Sequence, residues 1–182
     1  DLLRAAPGDP VSVFGNTHLQ VAMGLETVHP EILPRLNKKM TPDDFRRAAG
    51  FLISHGISVR AFILLRPPFM TEEEGVEWAC RSIDFAFEAG ASVCSVIPVR
   101  MGNRELARLA GEGQFSQPSV RSLERVMEYG IGLGAGRAFA DLWDLERFSE
   151  CGHCIRRRRE RLQRMNLTQE VVSEAVCSCE NR

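Results

Sequence analysis

Three times in this chain an apolar run of strand length is followed by a stretch with helical hydrophobic spacing, and that alternation leaves few folds open. The first run, residues 19–25, precedes a helix expected at about 42–55, where Phe45, Ala48, Ala49, Leu52 and Ile53 form one apolar stripe. Thr41 suits its N-cap and Pro42 its first position, while Asp43 and Asp44 lie at the positive end of the dipole. The second run, 59–65, is almost continuously apolar, as in a parallel strand covered on both faces. Thr71 and Glu74 then form a capping box, and Val76, Cys80, Ile83 and Phe87 define the expected buried face of the next helix. The third run, 92–99, leads through a loop to a helix at about 120–129, and residues 139–143 offer a further strand. The glycine-rich run 130–136 follows a helix where a phosphate loop follows a strand, so it reads as a flexible connection.

Such alternation predicts an α/β fold with a parallel sheet and right-handed crossovers. Three units cannot close a barrel. The expected architecture is therefore half of a (β/α) barrel over 1–137, with a raw edge at its first strand, and a Cys-rich extension over 138–182. The 182 residues suffice for one domain, and a formal net charge of −1 gives no general attraction to nucleic acid or membrane. No apolar run approaches the ~18 residues of a bilayer span, so a cytoplasmic protein is expected. The start, Asp1-Leu2-Leu3-Arg4, is neither an initiator Met nor a signal peptide, which reads as a chain cut from something longer.

Ligands of parallel α/β folds bind outside the carboxyl ends of the strands. Val21-Ala22-Met23-Gly24-Leu25-Glu26-Thr27 ends an apolar strand in glycine and at once presents a carboxylate and a hydroxyl. Glu26 and Thr27 either meet a ligand there or satisfy backbone N–H groups of the next turn. The segment, with Leu36-Asn37-Lys38 after it, resembles the fourth-strand region of radical S-adenosylmethionine (SAM) enzymes, where G-[LV]-E-[ST] precedes an "lNK" stretch. The segment from Phe62 to Glu72 resembles that family's fifth-strand region, although Arg66-Pro67-Pro68 stands where many members have glycine. Val96-Ile97-Pro98-Val99-Arg100 with Gly102-Asn103 is similar to the sixth-strand pattern.

This resemblance, spanning about 19–137, implies a SAM pocket in which Glu26 and Thr27 meet the amino or ribose groups. Leu64, Leu65 and Pro67 would line the adenine, and Arg100 would face the substrate. Arg100 could equally pair with an acid of the chain. The family's C-x3-C-x2-C motif, which binds the [4Fe–4S] cluster, is absent from the sequence, so those ligands are expected upstream of Asp1. In the intact enzyme a reductant would feed electrons to the cluster, SAM would be cleaved, and the resulting radical would abstract hydrogen from the substrate.

Six cysteines divide by setting. Cys80 and Cys94 sit singly in apolar patterns and read as small buried hydrophobes. Cys151, Cys154, Cys177 and Cys179 form two close pairs about twenty residues apart, which fits one zinc, an auxiliary iron–sulfur cluster or unligated thiols. Between them Arg156, Arg157, Arg158, Arg159, Arg161 and Arg164 make a basic helix, either a solvated face or a phosphate-binding one. The stretch running from Phe148 through Met165-Asn166 to Gln169 resembles the tail of a radical SAM group similar to the archaeosine-forming enzymes of tRNA modification and the Elongator-type enzymes. The expected function is thus part of a radical SAM enzyme acting on tRNA or other RNA. The alternatives are a zinc-bearing RNA-binding module on an inert scaffold, or another (β/α) barrel in which Glu26 performs acid–base work.

Overall fold

The computed structural model describes residues 18–149 and 151–175. Four strands, β1 (Gln20–Glu26), β2 (Ser58–Leu65), β3 (Val93–Pro98) and β4 (Arg137–Ala140), form one parallel sheet in sequence order. Six α-helices accompany them among the described residues: α1 (Ile32–Arg35), α2 (Pro42–Ser54), α3 (Glu72–Glu88), α4 (Arg104–Gly111), α5 (Val120–Gly132) and α6 (Ile155–Thr168). A 3-10 turn at Leu145–Phe148 precedes α6.

Both long early helices begin as their sequences dictate. Thr41 and Asp44 exchange side chain and backbone at the start of α2, and Thr71 and Glu74 do the same at α3, so two orphan donors are satisfied at each end. The buried face of α3 differs from the expected one. It runs through Val76, Ala79, Ile83 and Ala86, with Cys80 and Phe87 only half-buried, because the small residues let the helix approach the sheet closely. The glycine-rich run is also more ordered than expected. Gly130 and Gly132 lie within α5, where a Cβ on Gly130 would sit 3.1 Å from Ala138 Cβ. Only Gly134 takes a left-handed turn there.

The core lies on one face of the sheet. Val59, Ala61, Ile63 and Leu65 of β2 are fully buried and cluster with Phe45 and Ala49 of α2, Ile83 and Ala86 of α3, and Val126 and Met127 of α5. The alternate residues Arg60, Phe62 and Leu64 are half-buried. The apolar run of β2 therefore does not report cover on both faces in this chain. With strands in sequence order, right-handed crossovers put α2, α3 and α5 on the same side. Leu162 and Met165 of α6 join that same core beyond β4.

The outer edge of β4 is finished by side chains. Asn166 accepts from Ala140 N–H at 2.8 Å and donates to Ala140 C=O at 2.9 Å. Gln169 does the same with Ala138, at 2.8 and 2.9 Å. Two carboxamides thus stand where a fifth strand would bond.

Candidate functional site at the carboxyl ends of the strands

Glu26 ends β1 with φ 64°, in the left-handed region, where the β1–β2 register shifts. Its carboxylate folds back to Lys38, with Oε1 2.6 Å from Nζ. The pair lies over Gly24, where a Cβ would be 2.3 Å from Glu26 Oε1 and 2.7 Å from Lys38 Nζ. Glycine leaves the space in which the two side-chain ends meet, and a Cβ there would shift them. Thr27 is buried at 1% exposure and accepts from His29 N–H at 3.2 Å. His29 Nδ1 in turn accepts from Glu31 and Ile32 N–H at the start of α1. Of the two residues only Glu26 presents a group outward; Thr27 fixes the turn.

At the end of β2, Arg66 (φ 52°) and Phe69 (φ 74°) are two further non-glycine residues in left-handed conformation. The side chains of Leu65 and Pro67 are buried, Leu65 in the core, so Leu64 and the backbone are what reach the strand end. Arg66 pairs with Glu72 and donates to Gln117 C=O at 2.9 Å. Glu72 also accepts from Ser119 N–H at 2.8 Å and from the Ser122 hydroxyl. Burial raises the Glu72 carboxyl pKa, but these hydrogen bonds and Arg66 outweigh it and leave the group below its usual range.

Arg100, just past β3, is turned onto its own chain. It pairs with Asp141 at 2.9 Å, donates through Nε to Trp143 C=O at 3.1 Å, and lies over the Trp143 and Phe148 rings at 5.0 and 5.5 Å. Its side chain is 12% exposed, whereas Trp143 is 72% exposed. Trp143 and Asp141 were not readable as site residues, because their setting depends on Arg100 some forty positions earlier.

In the extension, Cys154 is buried at the start of α6 and Cys151 is half-buried one turn before it. Cys177 and Cys179 lie outside the described residues. A cleft of about 770 Å³ runs between the Arg66 turn and this segment, lined in part by Glu72, Gln117, Phe148, Cys151 and Cys154. Cys80 and Cys94 are remote in character: burial pushes their thiols up to about 11 and 12, as expected of packing residues.

The arginine run is only partly a solvent face. Arg158 and Arg161 are buried and share the buried carboxylate of Glu124, and Arg161 also meets Glu128 at 2.6 Å. Arg159 pairs with Glu146 at 2.7 Å and Arg156 with Glu160 at 3.0 Å. Arg157 and Arg164 remain on the exposed face.

No family model matches the chain. It is 24% identical over 182 residues to an uncharacterized protein of Methanocaldococcus jannaschii, covering 91% of this chain and 48% of that protein. It is 29% identical over 122 residues to archaeosine synthase subunit beta of Methanosarcina acetivorans, covering 64% of this chain and 34% of the relative. With archaeosine synthase subunit beta of Thermococcus kodakarensis it shares 40% identity over 72 residues, 39% of this chain and 22% of the relative. The chain thus spans about half the length, or less, of the curated relatives it matches.

Proposed function

We propose that this chain is the SAM-holding part of a tRNA-modifying enzyme, and that its sheet is half of a radical SAM (β/α) barrel. The observation that carries this reading is backbone strain at adjacent strand ends. Glu26 and Arg66, neither a glycine, both adopt left-handed φ at the edge where parallel sheets bind ligands. Similarity to two archaeosine synthase beta subunits supports the tRNA assignment. Sequential strand order, with α2, α3 and α5 packed on one face, is also the arrangement of a barrel wall.

The residues present fit SAM. The half-buried Glu26 carboxylate suits an ammonium or a ribose diol, Leu64 offers apolar contact to a purine, and Thr27 holds the turn. The backbone from Leu65 to Pro67 supplies donors and acceptors for the adenine edge, short of the amide hydrogen that Pro67 lacks. Bound SAM would supply the difficult chemistry, while the chain orients it and limits water at the strand ends. The residues do not fit the catalytic cluster. Among the described residues no three His, Cys, Asp or Glu side chains converge on a metal position. Cys151 and Cys154, with Cys177 and Cys179, are proposed instead to hold zinc or an auxiliary cluster, and elemental analysis checks that.

Calorimetry with SAM on the full-length protein tests the reading. Glu26→Gln should weaken SAM binding by about 1–3 kcal/mol, the loss of a charge-assisted hydrogen bond in a half-buried site. Lys38→Met, which removes the partner and keeps the carboxylate, should not weaken it. If Glu26→Gln binds SAM like the parent, Glu26 serves only its ion pair and the SAM reading fails.

A further inference from the structure

Trp143 stands at the carboxyl end of β4, on the same edge of the sheet as Glu26 and Arg66. The residue is 72% exposed in a stretch whose other apolar residues turn inward: Ala140 and Leu145 are buried and Leu142 packs on the core. Burying such a ring would remove 150–250 Å² from water, so leaving it outside forgoes one of the larger stabilising terms available to a side chain. The loop is not loosely held. Trp143 N–H donates to Asp141 Oδ1 at 3.0 Å, and Asp141 N–H donates to Val96 C=O at 2.9 Å. Arg100 holds the Trp143 carbonyl and the Asp141 carboxylate together, and lies over the indole ring. Asp144 follows in left-handed conformation (φ 55°) and is tied to Arg147 at 2.7 Å. The ring is thus presented outward by a fixed frame, with the guanidinium against it and most of its surface in water.

We propose that Trp143 is a stacking platform for an unpaired nucleobase of the RNA substrate. This deepens the tRNA-modification reading and rests on it. The surroundings favour a single flat heteroaromatic ring over a protein partner. Asp141, Asp144 and Arg147 lie within four positions of Trp143 and make its stretch polar, whereas a stable protein interface buries roughly 1,200–2,000 Å² around an apolar centre. A base needs one π-face for stacking and polar groups at its rim, and aspartate and arginine serve the exocyclic amino and keto groups of bases. Stacking on an aromatic side chain is how proteins commonly hold bases that are splayed out of a helix. The arginine run of α6 contains no interleaved aromatic residue, so it has no comparable platform.

The experiment uses the 182-residue chain carrying Trp78→Phe, which leaves Trp143 as its one tryptophan. A single-stranded oligoadenylate should quench Trp143 fluorescence on titration. Trp143→Ala should raise the apparent Kd roughly tenfold, within the range known for one base–aromatic stack, and Trp143→Phe should recover most of that loss. Circular dichroism melting of each variant verifies that the fold is kept. An abasic ribose–phosphate strand of the same length should bind more weakly and be indifferent to Trp143→Ala. Unchanged RNA affinity in Trp143→Ala overturns the proposal, as does an equal effect on the abasic strand. It is also overturned if the full-length protein shows a blue-shifted Trp143 that RNA does not quench, since another part of the protein would then cover the ring. SAM affinity, measured separately on the full-length protein, reports on the cofactor reading, so failure of one is distinguishable from failure of the other.

Discussion

At the scale of single residues, Glu124 decides how the extension is attached. It sits on α5 at 4% exposure and is met by Arg158 and Arg161 of α6, both buried. Burial holds its carboxyl above the usual carboxylate range, although the two guanidinia at contact pull it down. Removing it would leave Arg158 and Arg161 buried without their shared anion. Glu124→Leu should therefore lower unfolding free energy in urea by about 3–5 kcal/mol. Glu124→Leu combined with Arg158→Met and Arg161→Met should recover most of that loss. A single substitution with no effect on the urea midpoint would mean that water solvates the cluster. The sequence shows six nearby arginines but not which of them face inward, because the deciding acids lie 34 and 33 positions away. The spacing of Glu124 and Glu128, one turn apart on a helix, is the one local hint that an acidic stripe awaits a basic partner. Glu26 was the more legible residue. Its place after Gly24 at a strand end is local, while its left-handed backbone and the Lys38 pairing needed the structure.

At the scale of elements, what the sequence revealed was whatever depends on neighbours a few residues apart. The capping boxes of α2 and α3 follow from Thr41 with Asp44 and Thr71 with Glu74, and both form. Helix α4 was passed over although Leu106, Leu109 and Ala110 give it an amphipathic pattern and Asn103 its N-cap, because eight residues with Leu109 alone buried make a short signal inside a loop. The joint between α3 and α5 was equally hidden, because Glu72 reads as a first-turn acid and not as the acceptor for Ser119 and Ser122. That joint should be pH-sensitive. The Glu72 carboxyl is lowered in the folded chain, so its contribution is fully present above the unfolded carboxylate value of about 4.3 and fades as pH falls through the lower folded value. Exchange-broadened or shifted backbone signals of Ser119 and Ser122 should therefore emerge in NMR spectra below about pH 4. In Glu72→Gln the acid-linked change should vanish. If both signals titrate identically in the variant, Glu72 is not the group responsible.

At the scale of the whole molecule, the two edges of the sheet are unlike, and this bears on how the chain fits into something larger. The order β1-β2-β3-β4 leaves β1 and β4 outermost. On β4 the Asn166 and Gln169 carboxamides occupy the backbone groups of Ala138 and Ala140, so no further strand can bond there without displacing α6. On β1 the described residues supply no such cover. Additional strands of a barrel would therefore have to join at β1. Amide hydrogen exchange can read this asymmetry directly. The Ala138 and Ala140 amides should be protected although they lie on an edge strand, and Asn166→Ala should expose the Ala140 amide and lower stability by about 1–3 kcal/mol, the desolvation of a buried group left unpaired. The β1 amides that point away from β2 should exchange quickly in this chain and slowly in a protein of the relatives' length. Equal, strong protection of both edges in the isolated chain would mean that residues of this chain already cover β1. The half-barrel reading would then lose the open edge it needs, and the sheet would be complete at four strands.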